Sequence, residues 1–287
     1  MESGLQGKRY KVMQRGMAIL LALSFFMSGC STSNTKSTGT TGSVTGNWQV
    51  TLTDSGLTNT PISQSGSLLQ NEQAVSGNML FTDSGCSGVG GVQGSVTGES
   101  VYLIVNPTGS QITLSGTLGK ASDTSCTGTE TCMGGTYTTV STGCTDGKTV
   151  PSTGTWMATL VAPLSGSITG TLNSNSGAAY SVTGQVTQGK NTGSSSTPLS
   201  GTLTFGGGFC YTSANIVGSI SGTAVVMNLS DSEGTQIGQI SGTSSVDGSS
   251  VGTATFDYVG LGDGARRGCA NGGVFRDVTF SIAASAS

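Results

Sequence analysis

The chain has 287 residues, of which 48 are glycine, with 11 basic and 14 acidic side chains and no histidine. Without histidine there is no imidazole base, no Ser-His-Asp or Cys-His constellation and no His-ligated metal. A net charge of −3, thinly spread, offers no basic surface to neutralise phosphates and argues against nucleic acid as a partner.

The N-terminus reads in three parts. Lys8, Arg9, Lys11 and Arg15 form a basic stretch, Met17 to Met27 is an apolar run of eleven residues, and Ser28-Gly29-Cys30 closes it with small side chains. The run is well short of the ~20 residues a spanning helix needs, and the order is that of a secretory signal. Phe26-Met27-Ser28-Gly29-Cys30 resembles the lipobox of bacterial lipoproteins, with Met27 standing where that family most often has leucine. The resemblance implies removal of residues 1–29 and attachment of a diacylglyceryl group and an amide-linked acyl chain such as palmitate to Cys30. Several acyl chains hold a protein stably on a membrane, whereas a single one is marginal. Ser31 follows the cysteine in place of the family's inner-membrane retention Asp, so the resemblance points to the outer membrane. Cleavage removes four bases and one acid and takes the net charge from −3 to −6. Residues 30–43 are Ser/Thr/Gly-rich and contain no apolar side chain after the cysteine. Such a segment cannot recover its ordering entropy by burial and is expected to be a flexible tether reaching about 20 Å.

Beyond the tether, apolar residues recur at every second position. Trp48, Val50 and Leu52 alternate with Gln49, Thr51 and Thr53; Val101, Leu103 and Val105 follow, then Ile112 and Leu114, then Trp156, Ala158 and Leu160. Val225, Met227 and Leu229 keep the period, as do Val278, Phe280 and Ile282. Strand side chains point alternately to opposite faces, so each run has one apolar and one hydroxyl-rich face. Turn signals such as Thr97-Gly98 and Asp247-Gly248 separate the runs. The exported part is therefore predicted to be all-β and antiparallel, preceded by a signal helix and the tether.

A repeat of about 124 residues runs through it. Ser43-Val-Thr-Gly46 returns as Ser167-Ile-Thr-Gly170, Ser76 to Phe81 returns as Ser200 to Phe205, and Gly94 to Gly98 returns as Gly218 to Gly222. At the same offset Cys86 falls on Cys210 and Val101 on Val225, and one further residue brings Cys144 onto Cys269. Two tandem homologous domains follow, 44–162 and 163–284. Each has about eight strand-like runs, which fits a small up-and-down barrel or a β-sandwich.

Apart from Cys30, six cysteines remain, and six allow fifteen pairings. The repeat selects among them. Cys86 and Cys144 lie 58 residues apart and Cys210 and Cys269 lie 59 apart, so the expected bridges are Cys86–Cys144 and Cys210–Cys269, with Cys126 and Cys132 closing a short loop. An exported compartment permits all three. Zinc is the rival reading, but paired C-x₂-C spacing is missing, and no metal or cofactor is expected.

No Walker loop or H-E-x-x-H is present, and no residue is assigned a catalytic role. A carboxylate glycosidase would need two facing acids, whereas most acids here lie in or beside predicted turns. Arg266 and Arg267, with Asp263 nearby, form a candidate ligand loop for an anionic group. Gly46-Asn47-Trp48 is similar to the G-x-W that opens lipocalin barrels, and Gly154-Thr155-Trp156 to an avidin strand. That similarity implies a barrel interior lined by Trp48, Val101, Leu103, Ile112, Leu114 and Trp156 that takes a small apolar ligand. The leading expectation is a non-catalytic, lipid-anchored envelope protein that binds such a ligand, a carbohydrate or an envelope protein. A structural or adhesive envelope component is the alternative, and the glycosidase a more distant one.

Overall fold

Strands with one apolar and one hydroxyl-rich face need a dry side and a wet side, and a closed wall supplies both. The computed structural model describes residues 42–54, 62–82, 88–107, 110–119, 131–139, 152–173, 178–262 and 269–284. Strands β1 (Gly46–Asp54), β2 (Ile62–Asn71), β3 (Ala74–Phe81), β4 (Gly88–Thr97), β5 (Ser100–Asn106), β6 (Ile112–Gly119), β7 (Cys132–Thr139) and β8 (Thr153–Val161) pair antiparallel in chain order. β8 then returns to β1 and closes the first barrel. Strands β9 (Gly166–Asn173), β10 (Ala179–Gln188), β11 (Thr197–Phe205), β12 (Ser213–Ser221), β13 (Ala224–Ser230), β14 (Gln236–Ser244), β15 (Ser250–Tyr258) and β16 (Gly273–Ala283) close a second barrel through β16 and β9. Closure rules out the sandwich.

Each barrel has its own core. Trp48, Val50, Leu52, Met79, Leu103 and Leu114 are wholly buried in the first. Leu172, Leu229, Ile240, Phe256 and Val278 are wholly buried in the second. Gln49, Thr51 and Thr53 turn outward between the buried residues of β1. Apolar side chains face in and hydroxyls face out, the reverse of a membrane-spanning barrel.

Glycine makes so small a barrel possible. Gly94 on β4 faces inward opposite Leu103, and a Cβ there would strike the Tyr102 carbonyl and the Leu103 Cα. Its repeat partner Gly218 on β12 lies opposite Met227, where a Cβ would strike the Val226 carbonyl and the Met227 Cα. At these points the neighbouring strand bends across the position a side chain would occupy, which is how a sheet turns a tight corner.

The repeat holds in the middle of each barrel and shifts at its start. Gly98 and Gly222 open matching two-residue hairpins with φ of 60° and 54°. The expected match of residues 43–46 with 167–170 is corrected by the structure. Gly46 (φ 156°) corresponds to Gly166 (φ 155°). The Val44 and Leu164 amides donate to the side-chain carbonyls of Gln70 and Gln188 at 2.9 and 2.8 Å. Those glutamines' own amides donate to Thr45 and Ser165 hydroxyls, both at 2.9 Å. The offset is thus 120 at β1 and 124 at β3, because the segments between them differ in length. Ser, Thr and Gly strings match themselves too readily to reveal such a shift.

A polar seam joins the barrels. The Asn47 side chain, 3% exposed, donates to the Gly222 carbonyl at 2.8 Å and accepts from the Gly222 amide at 2.7 Å. Ser65 and Ser221 hydroxyls meet at 2.7 Å, and the Gln49 carbonyl accepts from the Thr223 amide at 3.1 Å. Asn191 donates to the Leu68 carbonyl and Asn78 to the Gly193 carbonyl, at 3.0 and 2.8 Å. The outer faces of β1 to β3 are therefore held by the β12–β13 turn and the segment before β11.

Candidate functional site

The predicted interior residues come together. Trp48, Val101, Leu103, Ile112, Leu114 and Trp156 are at most 3% exposed and pack in the first barrel's core. The Trp48 indole donates to the Val44 carbonyl at 2.8 Å and the Trp156 indole to the Ser115 carbonyl at 3.2 Å. Cys210 and Cys269 are bridged, with Cα atoms 5.5 Å apart. Cys132 is disulfide-bonded and buried. Cys30, Cys86, Cys126 and Cys144 lie outside the described residues, as do Asp263, Arg266 and Arg267 of the candidate ligand loop. The flanks of that loop form a short ribbon, in which the Leu261 and Gly262 amides donate to the Cys269 and Ala270 carbonyls at 2.7 and 3.1 Å. Among the described residues, no group of three acids or cysteines is placed to hold a metal.

The two barrels differ at the end where β1 and β9 finish. In the second barrel this end is sealed by aromatic rings. Phe209, carried on the loop between β11 and β12, is 3% exposed. Its ring lies 5.1 Å from Phe205, 5.3 Å from Tyr180 and Tyr258, 5.6 Å from Phe275 and 5.9 Å from Phe256. The adjacent Cys210–Cys269 bridge ties that loop to the start of β16. Ring pairs at such separations add to the area they bury.

The first barrel replaces this apolar packing with polar groups. Strand pairing sets Gln64 opposite Phe81 as it sets Val182 opposite Phe205. It sets Tyr137 between Leu114 and Gly154 as it sets Phe256 between Ile240 and Phe275. Val182, Phe256 and Phe275 of the second barrel thus become Gln64, Tyr137 and Gly154 in the first. Gln64 is 2% exposed and Tyr137 1%, and among the described residues neither the Gln64 amide nitrogen nor the Tyr137 hydroxyl makes a well-formed hydrogen bond. A buried polar group left unpaired costs about 1–3 kcal/mol. Burial pushes the Tyr137 pKa up, the Asp54 carboxylate pushes it further, and the nearby Ser152 hydroxyl offsets part of the rise.

A groove runs over the outer wall at the same place. A cavity of about 360 Å³ is lined by Asp54, Tyr137, Gly154 and the threonines beside them. It shares Thr53, Thr136 and Thr155 with a second cavity of about 610 Å³ that crosses β1, β8, β7 and β6. Its floor is backbone at Gly116, Gly134 and Gly135, with Trp156 beneath and Met157 on the rim. Gly154 lies directly over the Tyr137 ring, where a Cβ would strike Cε1 at 2.6 Å. Sequence reasoning missed Gln64, Tyr137 and Gly154. The signal that finds them is the repeat itself, once its register is corrected strand by strand. Compared with known protein families, curated proteins and solved structures, the chain matches none.

Proposed function

We propose that the chain is a lipid-anchored lipoprotein of the cell envelope, held at the outer membrane through Cys30, that binds a ligand or partner and catalyses no reaction. The observation that carries the binding part is that each barrel's axis is occupied by its own side chains. Trp48, Trp156 and Leu103 fill the first and Phe256, Phe280 and Ile240 the second. Walls, loops and barrel ends therefore remain for contact, and rigid β scaffolds ordinarily present function there. The anchoring part rests on the basic stretch, the short apolar run and Ser28-Gly29-Cys30. Labelling with palmitate and mass spectrometry of the mature N-terminal peptide test it. A diacylated, N-acylated peptide beginning at Cys30 is expected, with the label lost in Cys30→Ser. A mature chain that begins before residue 30 and carries no lipid overturns it.

A further inference from the structure

We infer that Phe209 is a hinged plug in the end of the second barrel, latched by the Cys210–Cys269 bridge, and that a dithiol reducing this bridge frees the plug and opens an aromatic cup for a small, uncharged ring-shaped ligand. The inference goes beyond the binding reading above and does not rest on the lipid anchor. Cup and plug come from different parts of the chain. Tyr180, Phe205, Phe256, Tyr258 and Phe275 stand on β10, β11, β15 and β16. They also support one another. Phe256 lies 5.9 Å from Phe205 and 6.0 Å from Phe275, and Phe275 lies 5.5 Å from Tyr258 and 5.9 Å from Tyr180. Phe209 packs against all five but is carried on the β11–β12 loop. Withdrawing its ring therefore leaves the wall of the cup standing.

The loop is free to turn on one side of the plug and fixed on the other. Its base is closed by the Gly206 amide on the Ser181 carbonyl at 2.8 Å and the Phe205 amide on the Thr212 carbonyl at 2.9 Å. Above that base, the Phe209 amide reaches the Gly206 carbonyl only at 3.5 Å, longer than an ordinary N–H···O bond. Gly207 and Gly208 sit at φ of 67° and 79°, and glycines absorb the backbone rotation that a hinge needs. Beyond the plug, Cys210 is tied to Cys269 and the Tyr211 hydroxyl donates to the Val259 carbonyl at 2.7 Å. Because Cys210 directly follows Phe209 and its Cα is held 5.5 Å from that of Cys269, the ring stays in the cup while the bridge stands. Reduction breaks the S–S bond. Two electrons and two protons pass from the dithiol, Cys210 and Cys269 become thiols, and the dithiol closes to its own disulfide. Cys210 is partly exposed, which gives the attacking thiolate an approach. The vacated cup presents uncharged rings, and an apolar cavity of this kind takes an aromatic solute in preference to water.

The test compares the full chain with Cys210→Ser/Cys269→Ser and with Phe209→Ala, by hydrogen exchange read by mass spectrometry and by fluorine NMR with fluorobenzene as the probe. In the double serine variant, exchange across residues 206–212 should rise about tenfold or more while the strands of the second barrel exchange as in the parent. Fluorobenzene should bind that variant and also Phe209→Ala, in which the bridge stands but the plug is gone, and should not bind the oxidised parent. A dithiol added to the parent should bring binding on, and reoxidation should abolish it. Unchanged exchange at 206–212 overturns the inference. So does exchange that rises through β10, β11, β15 and β16 together, or a serine variant that does not fold, because the bridge is then a staple for the whole barrel and no latch. Absence of fluorobenzene binding in either variant, or equal binding by the oxidised parent, overturns it as well.

Discussion

Gln64 shows how one side chain separates two otherwise similar barrels. It points inward from β2 at the level where its counterpart is Val182, and its amide nitrogen is buried without a partner among the described residues. Nothing in the local string Ser63-Gln64-Ser65 distinguishes it from the outward glutamines. Gln49, for example, bonds the Ser63 hydroxyl at 2.7 Å and the Gln64 carbonyl at 3.0 Å on the barrel's outer face. If the amide is unpaired at rest, Gln64→Met should raise stability by about 1 kcal/mol, because a methionine fills similar volume without a donor to satisfy. Urea denaturation monitored by tryptophan fluorescence checks this, and a loss of stability would mean the amide has a partner, such as an internal water. Tyr137 follows the same logic with a ring attached. Its packing was within reach of a period-two reading, but its unpaired hydroxyl depends on what stands across the barrel.

At the level of the strand, alternation and glycine work together. Trp48, Val50 and Leu52 specify which face of β1 is dry, and a one-residue slip would put all three in water. Gly94 and Gly218 specify where β4 and β12 let their neighbours cross. Their spacing was legible as part of the repeat, although its reason lies in the close approach of a neighbouring strand. Gly218→Ala should cost about 1–3 kcal/mol, since the new methyl meets backbone that cannot rotate away. Thermal unfolding followed by circular dichroism would measure the loss; a midpoint equal to wild type would mean the corner relaxes freely. The aromatic seal is an element-scale feature too. Phe205, Phe256 and Phe275 belong to alternating strands, but Phe209 sits in a glycine-rich loop without periodicity, and only the fold reveals that it enters the barrel end.

The whole molecule adds a seam between the barrels that is rich in polar groups. Asn47 occupies both hydrogen-bonding functions of its amide on Gly222, more than 170 residues away, and is nearly inaccessible to water. Asn47→Ala strands the Gly222 amide and carbonyl and should cost about 2–3 kcal/mol. Chemical denaturation, with small-angle scattering to follow the spacing of the barrels, would register both the cost and any loosening; unchanged values in both would show the seam to be incidental. The all-β class, the dry and wet faces, and the pairing of Cys210 with Cys269 were legible in the linear chain, and its repeated spacings fit the two similar barrels. Side-chain period and the recurring spacing of Phe and Cys carry them, and both are written along the chain. Tertiary structure alone decided for barrels over sandwiches, corrected the register of the first strands, and placed Gln64, Tyr137 and Gly154 against the second barrel's Val182, Phe256 and Phe275. Closure, register and unpaired polar atoms depend on which strand lies beside or across from which, and a linear pattern of Ser, Thr and Gly carries no memory of that neighbour.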